Sequence, residues 1–204
     1  MKHTIFPLYL ILCLLLSACG ARKQSSSPKS EGDTLTLKYA KNLCIVKYND
    51  YTLATLRNPW DTTKVLRTYI LTDKSKPQPS SLPQGTLVQV PLSRSLVYSS
   101  VHCSLLDELE AVNQIKGVCD LSYISIPSIQ EGCRSGKITN AGNSMSPDIE
   151  KIIDMHPDAI LLSPYENSNG YGRIEKLNIP IIECADYMET VSYTHLRAHE
   201  TKAN

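Results

Sequence analysis

Residues 143–164 read NSMSPDIEKIIDMHPDAILLSP: a polar start, a short amphipathic stretch, a His-Pro break and an apolar run. Ser146 can cap a helix here, Pro147 suits its first turn because that N–H has no intrahelical partner, and Asp148 favours the positive helix end. Ile149, Ile152 and Ile153 share one face at helical spacing. The helix is expected to stop near His156-Pro157, since a proline ring cannot continue it. Residues 158–163 centre on an unbroken apolar run, the pattern of a strand covered on both faces. Further along, 173–178 reads as helical and 179–184 as another strand, a β-α-β order that implies parallel pairing with a right-handed crossover. Upstream, SLVYSS at 95–100 is an apolar strand. Leu105, Leu106, Leu109 and Val112 follow at helical spacing, and 117–120 supplies a short strand. In such sheets ligands sit beyond the strand C-termini. Those loops are 99–102, 120–124, 143–146 and 163–171.

The chain before this region has a different character. LTLKYA, LCIVKY, YTLATL and VLRTYILT are rich in β-branched and aromatic residues, with Asn49-Asp50 and Asn58-Pro59 as turns, so 34–73 is expected to be a small antiparallel meander. KSKPQPSSLPQG at 74–85 holds three Pro, three Ser and a Gly, too many breakers for a regular element. Residues 74–90 are therefore expected to be a linker and 91–190 a Rossmann-like α/β lobe.

The first residues, MKHTIFPLYLILCLLLSAC, place Lys2 and His3 ahead of an apolar run at 5–16. That is an export signal, too short for the ~20 residues of a membrane-spanning helix. Leu16-Ser17-Ala18-Cys19 matches the bacterial lipobox, so 1–19 is a lipoprotein signal with Cys19 as the lipidated residue. Acyl chains at Cys19 would hold the protein to a membrane at ~0.8 kcal/mol per buried CH₂. Residues 20–33, rich in Ser, Lys and Gln, read as a flexible tether. With 21 basic against 20 acidic residues there is no electrostatic footprint for nucleic acid. Cys44, Cys103, Cys119, Cys133 and Cys184 lack any short metal-ligand spacing, which disfavours zinc and iron-sulfur sites. A disulfide is permitted in an exported protein, but an odd count leaves pairing open; buried apolar cysteines are the simpler reading. Residues 191–204, VSYTHLRAHETKAN, do not continue the pattern. One codon choice for Val191 to Leu196 looks like the end of a transposase-based sequencing adapter, so 191–204 is expected to be a non-native read-through tail. His195 and His199 in it have zinc-helix spacing but lack the general-base Glu of H-E-x-x-H.

RSLVYSSVHCSLLDELEAVNQIKGVCD at 94–120, the stretch at 143–164 and KLNIPIIEC at 176–184 together resemble the first lobe of the TroA-like, helical-backbone substrate-binding proteins of siderophore and cobalamin importers. The sharpest piece is Pro147-Asp148-Ile149-Glu150-Lys151-Ile152 followed by His156-Pro157-Asp158. The resemblance runs over about 91–189. It implies two α/β lobes joined by a long helix with ligand in the cleft between them, this chain carrying one wall and the second lobe being absent. It further implies a monomeric, lipid-anchored protein of the periplasm or cell surface. Such a protein captures an iron-siderophore, haem or cobalamin-like ligand and delivers it to an ABC permease, without a cofactor and without catalysis. First-lobe contacts would come from Ser99, Ser100 and His102, from Tyr123, from Asn143, Ser144 and Met145, and from Tyr165 and Glu166. Glu150 falls at the position that docks the lobe on the permease. One wall alone would retain at best roughly millimolar affinity.

Three other readings compete. Bare zinc or manganese needs several converging His and carboxylates, and outside the tail only His102 and His156 follow the signal segment. An exported α/β enzyme lacks support from G-x-G-x-x-G, G-x-S-x-G or G-x-x-x-x-G-K-[ST], and a dyad such as His102 with Asp120 is not singled out. A single-lobe surface lipoprotein would use the meander as an interaction module.

Overall fold

Leu96 and Val97 are adjacent residues of one strand, so their side chains point to opposite faces, and both are completely buried. A strand in that position needs a layer on each side. The computed structural model, which describes residues 32–166 and 170–189, supplies both layers. The strand is β6 (Ser95–Val97), central in an all-parallel sheet with β7 (Ile115–Val118), β8 (Thr139–Asn140), β11 (Ala159–Leu162) and β12 (Ile181–Glu183), in the order β12-β11-β6-β7-β8. On one face Leu96, Ile160 and Leu162 pack with Ile152 and Met155 of α3 (Ile149–Met155). On the other, Val97 and Val118 pack with Cys103 of α1 (Ser100–Glu108) and Ile129 of α2 (Pro127–Arg134). A Cβ on Gly117 would lie 2.6 Å from Met155 Sδ, so the glycine lets α3 approach β7 closely.

α3 begins after Asp148, two residues later than its sequence signals suggest. Asp148 accepts a hydrogen bond from Lys151 N at 3.1 Å and caps the helix, while Ser146–Pro147 pairs as β10 with Gly142–Asn143, β9, in a tight hairpin. Aspartate caps as well as serine does, and the hairpin engages Ser146 and Pro147 instead. The segment read as helical at 173–178 is a 3-10 turn, Gly172–Leu177, too short to become an α-helix before Asn178 turns left-handed at φ 55°. α2 was not legible beforehand; Pro127 at its first turn is its sequence signal.

The meander consists of β1 (Asp33–Leu35), β2 (Leu43–Lys47), β3 (Thr52–Arg57) and β4 (Val65–Asp73), each antiparallel to the next. Residues 74–85 carry no helix or strand. Thr86–Val90 departs from the expected linker at 74–90: it is β5, parallel to β4, with Val88 only 1% exposed. Its β-branched TLVQV, following the breaker-rich loop, gains an edge position on an existing sheet and a buried side chain.

The meander also packs on the parallel sheet. Ile182 of β12 lies against the core of Ala54, Tyr69 and Val88. Tyr69 Oη accepts from Glu183 N at 2.8 Å, and the buried Glu183 carboxylate accepts from Arg67 Nε at 3.1 Å. Glu189 accepts from the backbone N–H groups of Lys41 and Asn42 at 3.0 and 2.7 Å. Asp158 accepts from Lys74 Nζ at 2.6 Å and from the N–H groups of Ser93 and Arg94 at 2.8 and 3.2 Å. The signal segment 1–19 with Cys19, nearly all of the tether 20–33 and the tail 191–204 lie outside the described residues.

Partial burial alone would raise the pKa of Asp158, but the bonds from Lys74, Ser93 and Arg94 outweigh that and hold it below its ordinary value. A depressed folded pKa means that the stabilisation is present above the unfolded value and lost as pH falls through the folded one. Asp158→Asn is expected to cost about 1–3 kcal/mol at neutral pH and to flatten the acid limb of the stability curve, measured by urea unfolding across a pH series.

Candidate functional site

From β6 the chain steps outward through β7 and β8, then returns to place β11 and β12 on the other side. The connections leaving β6 and β11 therefore diverge, and a crevice opens beyond their C-terminal ends. A cleft of about 490 Å³ lies there. One edge comes from Tyr98 and Ser99 after β6, and the opposite edge from Ser163 and Tyr165 after β11. Ser99 is the N-cap of α1, its Oγ accepting from Val101 N at 3.2 Å.

The β9–β10 hairpin brings Ser144 and Met145 to the cleft. Asp120, left-handed at φ 51°, anchors it: its N–H donates to Gly142 O at 2.8 Å and its Oδ1 accepts from Ser144 N at 3.1 Å. Asn143 Oδ1 accepts from Met145 N at 2.8 Å, so this side chain shapes the turn. Met145 is left 87% exposed at the tip. The remaining wall is Tyr171 to Ile174. Tyr171 Oη donates to Glu183 Oε1 at 2.8 Å and its N–H to Glu175 Oε1 at 2.9 Å, which fixes the wall to β12 and to its own turn.

Of the residues singled out in the sequence, Ser99, Ser144, Met145 and Tyr165 line this cleft. Ser100 opens α1, and neither it nor Asn143, exposed Glu166 or exposed Tyr123 lines the cleft or the smaller hollow beside it. Tyr123 stands at the far side of a 3-10 turn, Leu121–Tyr123, with its ring 77% exposed. His102 borders the smaller hollow but is 4% exposed, drawn inward by a 3.0 Å contact of Nε2 with Asp186 Oδ1. That contact holds the Asp186 carboxyl below its ordinary pKa despite partial burial. The pairing of His102 with Asp120 does not form, because Asp120 is engaged with the hairpin. Among the described residues His102 Nδ1 has no hydrogen-bond partner, and it is buried away from solvent.

Tyr98, Tyr171 and Arg173 are cleft residues that sequence reasoning missed. Tyr98 was hidden in its own strand run, and the glycines flanking Tyr171 were the available signal for the other wall. Glu150 is exposed in the first turn of α3, 3.9 Å from the Arg173 guanidinium. Among the described residues no three His, Cys, Asp or Glu side chains gather to hold a metal ion. All five cysteines there are unpaired; burial pushes the Cys103 and Cys119 thiols up to about 12.

No protein-family profile matches the chain. An uncharacterised lipoprotein of Methanocaldococcus jannaschii is similar, 26% identical over 215 residues, covering 88% of this chain and 51% of the relative. The chain thus spans about half the length of the curated relative it matches. Three solved structures are similar in part. The petrobactin-binding protein YclQ from Bacillus subtilis has a TM-score of 0.41 and 19% identity over 64% of this chain and 37% of that one. The periplasmic vitamin B12 binding protein BtuF of Vibrio cholerae has 0.36 and 18%, over 45% and 33%. The periplasmic haem binding protein HutB of the same organism has 0.36 and 15%, over 56% and 46%. Each likeness is partial; the architecture of this chain is a parallel sheet joined to a largely antiparallel meander.

The His102 and Asp186 contact joins α1 to the 3-10 turn Asp186–Met188. Asp186→Ala strands His102 Nε2 in a buried position and is expected to cost about 1–3 kcal/mol by chemical denaturation. In a His102→Phe background the same change should cost far less, since no ring nitrogen is then stranded; equal costs in the two backgrounds would remove the coupling.

Proposed function

We propose that this chain is the ligand-binding part of an exported lipoprotein that captures an iron-siderophore, haem or cobalamin-like ligand and passes it to the permease of an ABC importer. The observation that carries the reading is the cleft at the sheet's switch point, where Tyr98, Tyr165, Tyr171 and Met145 offer apolar faces beside the hydroxyls of Ser99 and Ser144. Aromatic and thioether groups suit the broad face of a macrocycle or chelate, and short hydroxyls suit its polar rim. The lipobox at Cys19, the lipoprotein relative and the resemblance over 91–189 agree with it. In this reading lipid at Cys19 anchors the protein outside the cytoplasm, 20–33 is the tether, and 91–190 is one wall of the site. Glu150, exposed at the start of α3, is the carboxylate that docks on the permease. In this reading the protein binds and releases without catalysis; among the described residues the His102–Asp186 pair beside the cleft has its other ring nitrogen buried.

The test uses the product of the complete open reading frame that encodes these residues. Calorimetric titration with haemin, cyanocobalamin and ferric siderophores is expected to give roughly micromolar or tighter binding for at least one class, and roughly millimolar or weaker for residues 32–189 alone. Tyr165→Ala should weaken the tight interaction about ten-fold. Heat signals absent for every probe, or a Tyr165→Ala protein that binds like the parent, would count against the proposal.

A further inference from the structure

Resting on the reading of Cys19 as a lipid anchor, we infer that the loop end of the meander is a second membrane contact, a basic and aromatic surface that binds anionic lipid headgroups. Lys38, Tyr39, Lys41, Arg57, Trp60 and Val65 form it.

Strand pairing brings these residues together. The loop between β1 and β2 and the loop between β3 and β4 lie side by side, because Leu43 pairs with Leu56 and Arg57 N donates to Asn42 O at 2.8 Å. Tyr39 is 53% and Val65 57% exposed. Trp60 is half-buried in a turn held by Asn58 Oδ1, which accepts from Trp60 N at 2.9 Å. Aromatic rings with an apolar body and a polar tip, rimmed by long cationic side chains, suit the boundary between headgroups and acyl chains.

The positive charge is available. Among the described residues Lys38, Lys41 and Arg57 are exposed and form no ion pair, and Lys38 Nζ lies 5.0 Å over the Tyr39 ring. The carboxylates at this end do not cancel it. Asp61 is bound to Lys64 at 2.7 Å, and buried Glu189 accepts from the backbone N–H groups of Lys41 and Asn42. The cations therefore face outward unpaired and call for an anionic partner.

A negatively charged bilayer is the partner that chain connectivity favours. Residues 20–31 separate Cys19 from the first residue before β1, a span of at most about 45 Å when fully extended, so lipid on Cys19 keeps the meander within reach of the headgroups. A lipid chain and a basic patch acting together hold a protein to a membrane more firmly than either alone. The contact also sets an orientation. Arg67, near the start of β4, bonds Glu183 at the end of β12, and Lys74, after the end of β4, bonds Asp158 just before β11. The loop surface thus lies at the end of the molecule on which the cleft opens, and its binding decides which side faces the bilayer.

The test uses the product of the complete open reading frame from residue 20 onward, which lacks the cysteine to be acylated, in flotation with phosphatidylcholine vesicles with and without phosphatidylglycerol. Binding to the anionic vesicles is expected to be at least about ten-fold tighter and to be lost at high salt. Lys38→Gln, Lys41→Gln and Arg57→Gln together should weaken it about a hundred-fold, and Tyr39→Ala about five-fold. Lys76→Gln, Lys137→Gln and Lys176→Gln, the same charge change at exposed positions elsewhere, should leave it intact, with urea unfolding to verify that every variant is folded. Equal binding to both vesicle types, equal weakening by the two triple variants, or no binding at all would overturn the inference and leave the anchor reading standing. A dimer in sedimentation that Tyr39→Ala dissolves would give the surface to a second copy and overturn it as well. Absence of palmitate label at Cys19 in the full-length product would overturn the anchor reading instead.

Discussion

The burial of β6 on both faces is the constraint on which the rest of the structure depends. Leu96 faces α3 and Val97 faces α1 and α2, each with no exposure at all. A two-sided strand of three residues cannot be stable without helices on both faces, and parallel neighbours need crossovers that put helices there. Once the crossovers from β6 toward β7 and back to β11 run in opposite directions, the chain cannot fill the space between their ends. The cleft is what that topology leaves open.

Two buried carboxylates join the halves of the chain. Glu183 is 5% exposed and Glu189 8%, positions where an unpaired charge would be costly, and both are satisfied by groups from the meander. Glu183 also receives the hydroxyl of Tyr171, so one side chain connects β4 of the meander, β12 of the lobe and a wall of the cleft. The meander is thereby tied through Glu183 to the Tyr171 wall of the cleft.

The site keeps its polar chemistry simple. His102, Asp120 and Asn143, the side chains with most chemical promise in the sequence, each serve structure: a buried contact with Asp186, a hairpin anchor and a turn bond. What faces the open space is aromatic surface, a thioether, hydroxyls and one guanidinium. Such a set offers surfaces and hydrogen-bonding groups that can grip a ligand.

The sequence by itself determined the strands and helices whose side chains repeat with a clear period, the parallel order around 143–184, and the loops that border the cleft. These follow from local sterics and from the alternation of apolar residues, which are properties of short segments. Strand order placed the loops 99–102, 143–146 and 163–171 beyond the strand ends, and the family resemblance named Ser99, Ser144, Met145 and Tyr165 within them; all four line the cleft. Only the tertiary structure decided that β5 joins the meander, that Ser146 and Pro147 belong to a hairpin, that His102 turns inward to Asp186 and that Arg173 reaches the cleft. Each of those outcomes depends on a partner far away in the chain or across a layer, as between His102 and Asp186 or Tyr171 and Glu183. Hydrogen bonding and burial are settled by which groups meet, and a local pattern does not record that meeting.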